Sequence, residues 1–182
     1  EMFQGPVTSY NDQIDNIPFS IVQDRDVLDK LKEHFLNLKS GTLVYFPWKQ
    51  HVSRILPRDE FLSVLFNRNK MKITKDEQET LLSLSIGIVG LSAGSEIAKV
   101  MVHQGVGSRF VLYDGDSIEL HNLNRMRSSL CDLNLKKAIL VARYMFEVNP
   151  YLQINAISKY MEKDELDDLT NPTNGHEKVN FV

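Results

Sequence analysis

The chain has 182 residues, a formal net charge of −3 and a single cysteine, with 42% apolar and 25% charged residues. A mildly acidic chain lacks the basic surface of a general nucleic-acid binder. It also lacks an apolar run approaching the roughly 18 residues of a spanning helix, and a basic and apolar start of the secretory kind, while its lone thiol excludes an internal disulfide framework and fits a reducing compartment. We therefore expect a cytoplasmic protein with neither nucleic acid nor membrane as partner.

Residues 1–20 hold turn formers and few apolar pairs, which suits a segment wrapped on a surface. From Asp24 to Lys39, Val27, Leu28, Leu31, Phe35 and Leu38 share one face, which predicts an amphipathic helix closed by Gly41. Thr42 to Phe46 reads as a strand stopped by Pro47. The run Val44-Tyr45-Phe46-Pro47-Trp48 suits a core or inter-domain contact better than a partner surface. Pro57-Arg58-Asp59 opens a second helix through Phe61, Leu62, Leu65 and Phe66. Thr74 and Glu77 form the capping box of a third, through Leu81, Leu82 and Leu84. The expected organisation is an α-rich extension over 1–64 and the N-terminal half of a second domain over 65–182.

Ile86, Ile88 and Val89 form a short apolar run ending at Gly90, as in a strand buried on both faces of a parallel sheet. The turn Gly90-Leu91-Ser92-Ala93-Gly94-Ser95 follows. Small residues there let backbone N–H groups approach a phosphate, and the next helix points its positive end at the same place. Ile97, Ala98, Val100, Met101 and Val102 supply that helix, which ends near Gly105. Phe110 to Tyr113 make a second strand ending at Asp114, 24 residues after Gly90, close to the spacing of a ribose-binding acid. The strict glycine fingerprint fails: Ser92 and Ser95 stand at its second and third positions, and Gly94 is out of phase. Taken alone, the turn also suits a tight strand-to-helix connection without a ligand.

After Asp114-Gly115-Asp116 come Asn122, Leu123 and Arg125, then Lys136-Lys137-Ala138 opening an apolar helix that stops at Asn149-Pro150. Here the chain resembles the ThiF/MoeB family, bacterial relatives of ubiquitin-activating enzymes. That family carries a strand ending in D-x-D, then N-L-x-R-Q, a lysine, and a helix ending in N-P. The resemblance spans roughly residues 65 to 182 and implies a Rossmann-like α/β fold, a mostly parallel sheet flanked by helices. It implies magnesium-dependent adenylation of a carboxylate by ATP. The acceptor would be a small molecule or the C-terminus of a ubiquitin-like or sulfur-carrier protein. Gly90, Ser92, Ala93, Gly94, Asp114, Asp116 and Asn122 would hold the nucleotide, and Arg68, Arg125 and Lys137 would be catalytic cations. The chemistry suits these types: joining two anions and releasing pyrophosphate needs positioning and positive charge. Arg68, 22 residues before Gly90, matches an arginine that reaches a neighbouring subunit's nucleotide, which implies a homodimer.

Met126 stands where the family carries glutamine. Lys178 to Val182 resemble the next strand, so a magnesium-linked aspartate would fall at or beyond Val182, and the chain reads as a piece of a longer protein. The five histidines show no ligand spacing, so no zinc site is expected. Cys131 reads as a buried structural thiol rather than a nucleophile. Two other readings remain: a nicotinamide- or flavin-linked oxidoreductase, which has no use for Asn122, Arg125 and Lys137 together, and a non-catalytic relative kept as a scaffold.

Overall fold

A computed structural model describes residues 42–170 and Val179, which fall in two compact units, one ending at Asn67 and the other beginning at Arg68. The helix expected over 24–39 and the wrap expected over 1–20 lie outside the described residues. So does the strand expected over 178–182, apart from Val179, which is buried and donates its N–H to the Leu169 carbonyl at 3.1 Å.

The first unit contains an antiparallel hairpin. Strands β1 (Thr42–Phe46) and β2 (His51–Ile55) pair with Phe46 opposite His51. Pro47 has no N–H to offer the ladder and starts a 3-10 turn instead. Gln50 closes that turn in the left-handed region, its N–H donating to the Pro47 carbonyl at 3.2 Å. Val44 and Phe46 are buried, and the Phe46 ring meets Trp48 edge-on at 5.5 Å. Helix α1 (Arg58–Leu65) follows, with Asp59 and Glu60 in its first turn, where acids favour the helix dipole. The described part of the extension is thus a hairpin plus one helix. Strand β2 carries His51, Ser53 and Arg54, and pairing with β1 makes it a strand where its composition does not.

In the second unit, helix α2 (Lys75–Leu82) has the expected capping box: the Glu77 N–H donates to Thr74 Oγ1 at 3.2 Å and the Thr74 N–H to Glu77 Oε2 at 2.7 Å. Strands β3 (Ser85–Val89), β4 (Arg109–Tyr113) and β5 (Gln153–Ile157) form a parallel sheet in that order. Helix α3 (Gly94–Gln104) connects the first two strands, and helix α4 (Lys137–Val148) leads into the third. Helix α5 (Lys163–Thr170) comes last. The two middle helices pack on each other and on the sheet. Ile86, Ala98, Val102, Phe110, Leu112, Val141, Met145 and Phe146 fill the space between. Each large side chain buried there contributes about 1.5–3 kcal/mol.

Val89 lies opposite Tyr113, and Tyr113 opposite Ile157. The three strands therefore end flush, which is where open α/β sheets place ligands. At the other end, α2 is tied to the end of α3. The Gly107 N–H donates to the Leu81 carbonyl at 2.9 Å, and Gln78 Nε2 to the Gly105 carbonyl at 3.0 Å. Gly107 has φ +82°, and a β-carbon there would lie 2.7 Å from Ile86 Cδ1, so conformation and room both require glycine. Among the described residues no helix is long and apolar enough to cross a membrane.

Candidate nucleotide site

The turn after β3 has two glycines with different tasks. Gly90 sits at φ +84° with open space around it, so its requirement is backbone conformation. Gly94 opens α3, and a β-carbon there would lie 2.8 Å from Ile88 Cγ2. Close helix–strand approach is the task of the third glycine in the strict fingerprint. Here it falls one residue earlier. Ser95, at the formal third position, is fully buried and donates from Oγ to the Ser92 carbonyl at 2.9 Å.

Asp114, at the end of β4, is 8% exposed. Its Oδ2 accepts from the Leu91 N–H at 2.6 Å and its Oδ1 from the Asp116 N–H at 2.8 Å. The second bond is the side-chain turn that Asp favours before glycine. The first ties the turn after β3 to the end of the neighbouring strand. A ligand-free role for Asp114 is thus structural as well.

Lys137 is the first residue of α4, with its side chain 4% exposed. Its Nζ donates to Asp116 Oδ2 at 2.7 Å and to Ser92 Oγ at 3.3 Å. The other Asp116 oxygen accepts from the Tyr160 hydroxyl. The Lys137 bond foremost, then the Tyr160 bond, holds the Asp116 carboxyl below the usual range. The same bond pushes the Tyr160 phenol up. Lys136 donates to the Gly115 carbonyl at 2.8 Å.

These groups surround a cleft of about 470 Å³ at the flush strand ends. Gly90, Ser92, Ala93, Asp114 and Asp116, five of the residues expected to hold a nucleotide, line it. Lys137 reaches it through its bonds to Ser92 and Asp116. Gly94 stands behind the turn, against Ile88.

The remaining candidates do not line the cleft. Asn122 is buried, and its Oδ1 accepts from the Glu119 N–H at 2.9 Å, which shapes the loop. Arg125 is exposed, and its Nη1 donates to the His121 carbonyl and to Asn124 Oδ1, both at 3.0 Å. Two residues on, Arg127 pairs with Glu96 of α3 at 3.3 Å. Arg68 is exposed in the 3-10 turn Asn67–Met71. Its neighbour Asn69 donates from Nδ2 to Gln78 Oε1 at 2.7 Å and to the Gln104 carbonyl at 3.1 Å. Cys131 corrects the sequence reading: it is exposed, in a 3-10 turn whose neighbour Leu130 is exposed too. Met126, by contrast, is buried.

Sequence reasoning missed the far wall of the cleft, made by Lys159, Tyr160 and Met161 after β5. Lys159 forms an ion pair with Glu165 of α5, which raises the lysine and lowers the acid. The alternation of β5, with Ile154 and Ala156 buried between exposed Gln153 and Asn155, was the available signal for this wall. Among the described residues no group of His, Cys, Asp and Glu is arranged to hold a metal ion.

The fold has counterparts among known proteins. The chain is 38% identical over 124 residues to the uncharacterized protein MT1398 of Mycobacterium tuberculosis, covering 68% of this chain and 17% of that one. It is 28% identical over 144 residues to ubiquitin-like modifier-activating enzyme 5 of Arabidopsis thaliana, covering 76% and 32%. The chain thus spans about a third or less of these curated relatives. The E. coli tRNA N6-threonylcarbamoyladenosine dehydratase TcdA, solved in complex with ATP, shares the fold at a TM-score of 0.57 and 18% identity, covering 62% of this chain and 47% of that one. The profile of the ThiF family matches residues 66–182, and the chain belongs to that family.

Proposed function

We propose that this chain carries the nucleotide side of an enzyme that adenylates a carboxylate with ATP. One observation carries the reading: the buried Lys137 ammonium is held against Ser92 and Asp116, two residues that line the cleft with Asp114 at its strand end. In the reaction, a carboxylate oxygen of the acceptor attacks the α-phosphorus and the bond to pyrophosphate breaks. Lys137 supplies positive charge where negative charge grows. Asp114 accepts from the ribose hydroxyls, using the lone pairs its two N–H partners leave. A cleft of about 470 Å³ is within the usual size for a small-molecule site.

Magnesium, when bound, neutralises phosphate charge and keeps most of its waters. Lys137 and Tyr160 already engage both Asp116 oxygens, so phosphate and water would be its main ligands on this side. Arg68 would act on a partner's nucleotide in a homodimer, and Arg125 would turn toward the phosphates once they are present. The acceptor is a small molecule or the C-terminal carboxylate of a ubiquitin-like or sulfur-carrier protein, and the setting is the cytoplasm.

Calorimetric titration of the intact protein should show ATP binding more tightly than NAD. Tighter NAD binding would turn the reading toward an oxidoreductase. Pyrophosphate–ATP exchange with acceptor present should fall about 10²–10³-fold in Lys137→Ala, with a smaller change in ATP affinity. A Lys137→Ala rate equal to the parent's would refute the assignment. One observation favours a non-catalytic scaffold: the Arg125 guanidinium is engaged within its own loop. A parent without exchange with any acceptor tried would select that reading.

A further inference from the structure

We propose that Tyr160 is a positioning residue of this cleft: acting through Asp116, it fixes the direction in which the Lys137 ammonium points. The use made of Lys137 rests on the adenylation reading; the positioning itself does not.

The Lys137 side chain is 4% exposed, so its two partners at 2.7 and 3.3 Å decide its aim. Asp116, the closer one, is 47% exposed at its side chain and has room to turn. A carboxylate held at one oxygen by a single lysine swings about that contact. The Tyr160 hydroxyl removes the freedom by taking the second oxygen.

The ring is held as deliberately as the hydroxyl. A β-carbon at position 115 would meet three atoms of the Tyr160 ring at 2.8, 2.8 and 2.9 Å. Gly115 is outside the left-handed region, so it provides room for the ring and not a special backbone shape. Tyr160 is 72% exposed, so burial does not explain its place over the cleft. The ring contact and the bond to Asp116 do. Other charged groups near the pair are Lys136 at the head of α4, Asp114 at the end of β4, Glu119 in the loop that follows, and Lys159, which is paired with Glu165 of α5. Lys136 gives its hydrogen bond to the Gly115 carbonyl, and Lys137 gives the one to Asp116.

The test uses Tyr160→Phe, which keeps the ring, and Gly115→Ala, which displaces it, in the intact protein. The first readout is the titration of the Asp116 carboxyl by carbon-detected NMR without nucleotide. Loss of the hydroxyl donor should move its midpoint to higher pH in both variants. The second readout is pyrophosphate exchange. Tyr160→Phe should lower kcat about 5–20-fold, as loss of an exposed hydrogen bond to a charged group would, and leave the KM for ATP within about two-fold. In a Lys137→Met background the same change should have no further effect on the rate. An unmoved Asp116 midpoint in Tyr160→Phe would overturn the proposal. So would a parental kcat, or an undiminished effect in the Lys137→Met background. A parent that binds ATP without exchange sinks the adenylation reading alone, and the Asp116 titration then decides the role of Tyr160.

Discussion

Replacing Asp114 tests whether one carboxylate holds the turn after β3 in shape without any ligand. It accepts two backbone N–H groups, from Leu91 at 2.6 Å and from Asp116 at 2.8 Å. Hydrogen bonds to a charged group contribute about 1.5–3 kcal/mol each, and a buried donor left alone costs about 1–3 kcal/mol. Leu91 is fully buried, so its N–H finds no water when the carboxylate goes. Asp116 is exposed, so its N–H is rehydrated at small cost. Asp114→Ala should therefore lose about 2–4 kcal/mol, most of it from Leu91. Asp114→Asn keeps one acceptor oxygen but turns an amide donor toward the second N–H, and should lose about half as much. Urea unfolding followed by circular dichroism measures the ladder, and hydrogen exchange at the Leu91 amide locates it. A loss below about 0.5 kcal/mol in Asp114→Ala, or full protection retained at Leu91, would refute the structural role.

Other outcomes follow from single contacts. Gly94→Ala should cost about 1–3 kcal/mol by scanning calorimetry, because its methyl meets Ile88 Cγ2 at 2.8 Å and α3 must lift. Gly90→Ala should cost a similar amount for a different reason, φ +84° in open space, and trimming Ile88 to Ala, which removes Cγ2, should reduce the added cost of the first variant and not of the second. The folded Asp116 value is lowered chiefly by Lys137, so the pair stabilises above the ordinary aspartate range and loses that stability as pH falls through the lowered value. The stability difference between parent and Lys137→Met should accordingly narrow as pH falls below about 4, and a gap constant down to pH about 2 would contradict the pairing. Exposed Cys131 should react with a thiol reagent in the native protein as fast as after unfolding, and protection in the native state would restore the buried reading.

Local rules made much of this fold legible. The apolar run before Gly90 is a strand because it is buried on both faces, and the Thr74–Glu77 box caps α2 as spaced. Asp114 was legible as the end of β4, since an acid after an apolar run marks where the strand leaves the sheet's interior. What escaped depends on partners far along the chain. Tyr160 meets Asp116 across 44 residues, and no local pattern announces such a pair. Strand β2 exists through its pairing with β1. Cys131 was misjudged because cysteine's average preference for burial says nothing of a 3-10 turn that faces water. Gly94 looked out of phase because the fingerprint counts positions, whereas packing counts only which backbone faces Ile88.

The tether at Asn69 has a consequence for Arg68. Asn69 is bonded to Gln78 of α2 and to the carbonyl of Gln104 at the end of α3. The arginine beside it is therefore carried on a fixed bracket of the sheet unit and is not a swinging arm. A swinging arm could serve its own cleft at any dilution. If Arg68 serves another copy's nucleotide, as proposed above, a bracketed arginine cannot also serve its own cleft, and a complete site would exist only in an assembled pair. Specific activity would then fall with dilution below the pair's dissociation constant, and inactive copies altered at Arg68 and at Lys137 would restore each other's activity when mixed.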